Sequence, residues 1–323
     1  MVLAQSDPTE LSVAEVKQSI ALVRASAAGD EVLSRALSMG QSLLRTSRFA
    51  EAADLFAALA EKKPADFAVI YGQALATFNS GRAADAEPLA RKAMEIVLPA
   101  ARSSDGRPET TAQAADSLVL LAVIVAVRND DRAALKLLQQ AVQIAPNHFD
   151  AQLSMGRLLF GMGDDNGAIK FFRAANALQP ANSQAMFFLA TTLERTGDIK
   201  GAMSSYRRLI EIAPVLYEGH LGLGALLLKQ GGSGVEEGLK ELTRALEINP
   251  NLYEAQVAIG RSLIARGQPS QAIMHLRRAA ELAPGNPEPH YQLSLAYRRL
   301  GQEEAAAQEA AIVKRINESR RGP

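Results

Sequence analysis

Apolar, charged and small positions along this chain each return at a nearly constant interval. Leu153, Phe187, Leu221, Val257 and Tyr291 form one apolar series, with Phe160, Leu228, Ile264 and Leu295 close by. Three residues before each member stands Asp150, Gln184, Glu218, Glu254 or Glu288, and basic residues follow at Arg195, Lys229, Arg298 and Arg299. Acids at helix N-termini and bases at C-termini complement the macrodipole by about 0.3–1 kcal/mol each. The pattern therefore predicts a succession of similar helices with one apolar side, interrupted by Arg157, Thr191 and Arg261. The apolar run Leu118–Val127 predicts one buried helix of the same kind. At ten residues it falls short of the roughly 20 needed to cross a bilayer.

Small residues keep the same beat. Ala52, Ala134, Ala168, Ala202 and Ala272 each follow another small residue by twelve positions: Gly40, Ala122, Gly156, Ala190 and Gly260. Twelve further on stand Pro64, Pro146, Pro180, Pro214 and Pro284; Pro250 belongs to the same series, with Gly238 in the small position. Gly163, Gly197, Gly231, Gly267 and Gly301 fall between. Facing small residues let two antiparallel helices approach, a glycine supplies the left-handed residue past a helix end, and a proline stops the next helix. A fixed period of this size is the mark of a solenoid of stacked hairpins.

The arrangement resembles the tetratricopeptide repeat (TPR) family. Gly156, Gly163, Ala168, Ala175 and Pro180, and again Gly260, Gly267, Ala272, Ala279 and Pro284, fill its small and helix-stop positions, while Phe56, Phe172 and Tyr206 supply its large second-helix residue. The resemblance implies an all-α, right-handed superhelical solenoid of about eight hairpins, covering most of the chain from Leu33. The family's tryptophan position holds Leu118, Gln152, Met186, His220, Gln256 and His290, which predicts looser packing. Gly238, after the insertion in Gly231-Gly232-Ser233-Gly234, predicts a soft sixth hairpin, since glycine in a helix costs roughly 0.5–1 kcal/mol against alanine.

The domain reading follows. Residues 1–32 form a leader and capping helix that starts at Asp7-Pro8-Thr9-Glu10 and carries Leu11, Val16, Ile20 and Val23 as anchors. Two repeat units occupy 33–99, an irregular insertion 100–114, six units 115–318, and a mobile tail 319–323. Pro88 is read as a first-turn or kink proline.

Thirty-five basic and 35 acidic side chains cancel, which argues against a nucleic-acid partner, since that would need surplus positive charge. Without cysteine there are no disulfides or thiolate metal sites. None of the four histidines (His148, His220, His275 and His290) has a carboxylate or second histidine one helical turn away to complete a zinc site. No nucleophile elbow or phosphate loop occurs. The expectation is no catalytic residue, no metal and no cofactor.

In the resembled family the first helices line a concave groove, so the groove expectation is Leu153, Arg157, Phe160, Phe187, Thr191, Leu221, Val257, Arg261, Tyr291 and Arg298. Members that clamp a chaperone's terminal carboxylate use Lys and Asn there. The asparagine position here reads Arg157, Thr191, Ala225, Arg261 and Leu295, so that use is not expected. The second-helix arginines Arg207, Arg208, Arg244, Arg277 and Arg278 precede Glu211, Glu247 and Glu281 at pairing distance, which predicts a solvated face.

The sequence thus reads as a non-catalytic scaffold or adaptor holding a protein or peptide. The alternatives are the recruiting or regulatory arm of a multi-chain enzyme complex, as in some glycosyltransferases, and a self-associating array in envelope assembly or secretion. It reads as soluble and cytoplasmic; Val2-Leu3-Ala4-Gln5 resembles the end of an export signal, so an exported, periplasmic form is the alternative if the true start lies upstream.

Overall fold

A computed structural model describes residues 11–25, 28–102 and 107–321, and among these there are α-helices and one short 3-10 turn but no strand. The chain divides into two compact units, Met1–Leu178 and Gln179–Pro323. In the first, α1 (Val13–Arg24) precedes the hairpins α2/α3 (Asp30–Arg45, Phe49–Lys62), α4/α5 (Phe67–Asn79, Ala83–Ala101), α6/α7 (Pro108–Val127, Asp131–Ile144) and α8/α9 (Phe149–Met162, Asp165–Leu178). In the second, the hairpins are α10/α11 (Ser183–Arg195, Ile199–Ile212), α12/α13 (Tyr217–Gln230, Val235–Ile248), α14/α15 (Tyr253–Ala265, Pro269–Leu282) and α16/α17 (Pro287–Arg299, Glu303–Arg321). Within each unit, first helices of successive hairpins touch, and each second helix also packs on the next first helix.

The turn inside every hairpin uses a residue of positive φ, and the turn between α12 and α13 uses two, Gly231 and Gly232. Gly81, Gly163, Gly197, Gly231, Gly267 and Gly301 provide it with φ of 69–86°, and Ser47 (58°) and Asn129 (63°) provide it where glycine is absent. Every hairpin also keeps its small second-helix position. Ala52, Ala86, Ala134, Ala168, Ala202, Ala272 and Ala306 are at most 1% exposed, and Gly238 is buried in α13. The large residues then act as wedges. Phe56, fully buried, lies where a methyl group on Gly72 of the next hairpin would come within 2.5 Å of its ring, and Gly40 opens the other side. Phe172 meets Gly156, Tyr206 meets Gly222, and Leu276 meets Gly260 in the same way.

Several expectations need correction. Asp7–Glu10 lie outside the described residues; the described helix α1 is capped at Ser12, whose Oγ accepts from Glu15 N–H while Glu15 accepts from Ser12 N–H. α1 packs on α2 and α3 through Val16 and Val23, and Lys62 Nζ donates to Ala25 O. The irregular insertion shrinks: α5 continues to Ala101 and α6 already begins at Pro108, with 103–106 outside the described residues. Proline at the first position of a helix costs nothing, because that N–H has no partner there. Pro88 lies in the second turn of α5 rather than the first, and Pro99 near its C-terminal end. The tail is helical through Arg321. Gly238 is a close-packing glycine, since an added Cβ would lie 3.0 Å from the Gly224 carbonyl. Finally, α6 is 20 residues long and contains an 18-residue window of mean hydropathy 1.8, enough by length and composition to cross a membrane. Its Ala114, Leu118, Leu121, Ala122 and Ile124 are at most 1% exposed among α5, α7 and α8, the pattern of a core helix.

Candidate partner-binding face

In the second unit the first helices α10, α12, α14 and α16 lie side by side. Tyr291, on α16, is half exposed. Phe187 and Leu221 are partly exposed, and Phe187 meets Phe188 edge-on, with ring centroids 5.7 Å apart. Arg261 and Arg298 are exposed, Arg261 standing 3.9 Å from Glu288. Val257 departs from the expectation. It is 8% exposed and packs between helices, so it belongs to the interior. Thr191 is partly buried, its hydroxyl 3.5 Å from that of Tyr206, which in turn donates to Glu194 Oε2 at 2.8 Å. Burial pushes the Tyr206 phenol above its ordinary range.

In the first unit, Leu153 is likewise interior at 6% exposure, whereas Arg157 is exposed and Phe160 partly so. Arg157 and Leu158 of α8 with Val123 and Val127 of α6 line a cleft of about 410 Å³. The structural positions Gly156, Ala168, Pro180, Ala202, Pro214, Gly260, Ala272 and Pro284 fall within or at the ends of the hairpins; the alanines and helical glycines are buried, and the prolines follow α9, α11 and α15.

At the family's tryptophan position Leu118 and Met186 are buried apolar residues, whereas Gln152, His220, Gln256 and His290 are hydrogen-bonded linchpins. Gln152 Nε2 donates to Pro146 O at 2.6 Å, Gln256 Nε2 to Pro250 O at 3.4 Å, and a His220 ring nitrogen lies 3.3 Å from Pro214 O. Each side chain, itself buried, thereby finds a polar partner in the carbonyl of the helix-stop proline six residues earlier. His220 also pairs with Glu241 and His290 with Glu309, both at 2.6 Å, and His275 with Gln256 at 2.7 Å. Desolvation lowers the His275 pKa.

One cluster escapes a search by helical spacing. Asp116 and Asp150 are one repeat apart, and His148 stands between them; one ligand atom from each lies within 4.8 Å of the others. Their types suit a cation, but the ring is already committed. Nδ1 accepts the Ala151 N–H that caps α8, so Nε2 carries the proton and faces Asp116 Oδ1 at 3.1 Å. Ligation through Nε2 would cost that cap. The hydrogen bond to Asp116 raises the His148 pKa against the opposing effect of burial. Burial also raises Asp150 and, with both carboxylates nearby, Tyr71.

The second-helix face is charge-paired as expected. Arg208–Glu211, Arg244–Glu247 and Arg278–Glu281 meet at 2.7–2.8 Å within their helices, and Arg207 reaches Glu237 of the next hairpin at 2.9 Å. Such exposed pairs contribute little to stability.

Comparison with known proteins adds family and fold. Tetratricopeptide repeat models match residues 37–105, 129–184, 183–215 and 263–319. Comparison with curated proteins finds no match. Among solved structures, a MamA crystal structure is 19% identical with a TM-score of 0.50, covering 53% of this chain and 93% of its own. The MamA RS-1 ArsTM double mutant is 17% identical with a TM-score of 0.51, covering 54% and 97%. YrrB, described as a TPR protein with an unusual peptide-binding site, is 20% identical over 55% and 91%, with a TM-score of 0.49. These likenesses concern the fold of about half the chain. With the hairpin turns, small positions and wedges in place and the repeat models spread along the sequence, the chain belongs to the tetratricopeptide repeat family.

Proposed function

We propose that this protein is a non-catalytic scaffold that holds a protein or peptide partner on the first-helix face of its second unit. The observation that carries this reading is Tyr291. It is a large aromatic side chain that keeps half of its surface exposed on a first helix. It shares the helix layer with Phe187 and Leu221, beside the cations Arg261 and Arg298. Aromatic anchors ringed by polar groups are the usual source of binding energy at protein interfaces. Against this stand a face of self-paired charges on the second helices and histidines bound to neighbours, neither of which offers a partner much.

The test is capture of partners from native lysate by wild type and by the double variant Phe187→Ala with Tyr291→Ala. Buried aromatic anchors commonly contribute about 2 kcal/mol or more each, so affinity for a captured partner should fall at least about a hundredfold. Circular dichroism must show the helix content unchanged. Identical partners and affinities for both proteins would remove the face from consideration. The chemistry of the captured chain also separates an adaptor from the recruiting arm of an enzyme complex.

A further inference from the structure

Between α12 and α14 the first-helix layer of the second unit opens into a cleft of about 560 Å³, a size that accommodates a ligand group. It is open because the residues facing each other across it are small, Ala225 and Ala258, while Leu228 and Val235 supply apolar walls. Three cations ring it: Lys229, Arg261 and Arg266. Arg266 is paired with Glu236, and Arg261 has Glu288 only at 3.9 Å. Lys229 is exposed and forms no ion pair among the described residues. The C-terminus of α12 carries about half a negative charge, too little to neutralise what remains.

The repeat supplies an internal comparison. In the cleft between α6 and α8, Arg157 stands where Arg261 does, but Val127, 61% exposed, stands where Lys229 does. A cation at this place is therefore not demanded by the fold: the register of Lys229 holds Arg195 and Arg299 but also Val127, Gly161 and Ala265, and the α12–α14 cleft is one that has both Lys229 and Arg261.

We propose that this cleft binds an acidic peptide segment, with an aliphatic side chain entering between Leu228 and Val235 and flanking carboxylates met by Lys229 and Arg261. The proposal rests on the first-helix face being the partner-binding surface and names the chemistry of that partner. Carboxylates suit the site because like-charged segments would be repelled there, and a wholly apolar segment would leave the cations without compensation.

The probe is a short fluorescent peptide of alternating glutamate and leucine, compared by anisotropy with versions carrying glutamine or lysine in place of glutamate. The acidic peptide should bind wild type at least about tenfold more tightly than the glutamine version, and its affinity should fall as salt rises. Lys229→Glu with Arg261→Glu should abolish that preference and leave the glutamine peptide unaffected. Lys229→Gln alone, at an exposed position, should give a smaller loss in the same direction and covers a failure of the double variant to fold. Arg208→Gln, on the opposite helices, should change nothing. No binding of the acidic peptide, equal binding of the glutamine peptide, or undiminished preference in the folded Lys229→Gln and double variants would each overturn the proposal. If the acidic probe fails while Phe187→Ala with Tyr291→Ala still loses its captured partner, the charge assignment is wrong and the binding face stands.

Discussion

At the scale of single residues, the hairpin turn separates what a residue type announces from what position imposes. Seven of the nine positive-φ turn residues among the described ones are glycines and can be read directly, since glycine is the residue that reaches positive φ without strain. Ser47 and Asn129 occupy the same place with φ of 58° and 63°, and nothing in their side chains advertises it. Only the repeat register locates them. Asparagine tolerates this region better than serine does. A left-handed L-residue costs roughly 1–2 kcal/mol, while glycine gives back roughly 0.5–1 kcal/mol through the entropy of the unfolded chain. Ser47→Gly should therefore raise stability by about 0.5–1 kcal/mol, and Asn129→Gly by less. Urea denaturation of the two variants checks the order. A loss of stability in Ser47→Gly would mean that the serine side chain contributes something the turn geometry does not reveal.

Elements bring together residues that spacing along one helix keeps apart. The hairpins, their helix stops and their small contact positions were legible because each recurs with the period. The linchpins Gln152, His220 and Gln256 were not, since a polar residue at a packing position reads as a defect until its partner, the carbonyl of the proline six residues earlier, is in view. The interior placement of Leu153 and Val257 was equally hidden, because an apolar residue at that position can face a neighbouring helix or a ligand. His148 shows the same effect between α6 and α8. Its elevated pKa means that the interaction with Asp116 favours the protonated ring in the fold by more than burial, and the loss of the Ala151 cap at Nδ1, oppose it. That contribution is fully present below the unfolded value of 6.5 and is lost as pH rises through the higher folded value. Asp150, raised by burial, is electrostatically coupled to His148 and is retained when His148 is replaced. His148→Asn tests this cleanly, since Asn182 and Asn286 cap α10 and α16 at the corresponding position. The stability advantage of wild type over this variant should shrink between pH 6 and 8, read by urea denaturation. A difference that stays constant over that interval would exclude His148 as the titrating group.

At the scale of the molecule, the division of the buried apolar residues into several local clusters among the described residues decides how damage travels. Each hairpin buries its surface on its neighbours, so stability is a sum of local and nearest-neighbour contributions. Ala272 is fully buried in α15, in the hairpin where Leu276 already fills the space left by Gly260. A leucine at 272 has nowhere to go without displacing that wedge, and overpacking of this kind typically costs about 1–3 kcal/mol. In a protein with a single core the loss would be felt everywhere. Here it should be felt in α14 and α15 first, then in α12, α13, α16 and α17, which touch them directly or through one hairpin. Hydrogen exchange on Ala272→Leu should accordingly show faster amide exchange across residues 217–321, with the protection of residues 13–178 unchanged. Loss of protection spread evenly over the chain would show that the two units unfold as one body. Thermal stability equal to wild type would place Ala272 away from the helix contact and undo the register on which the repeat assignment rests.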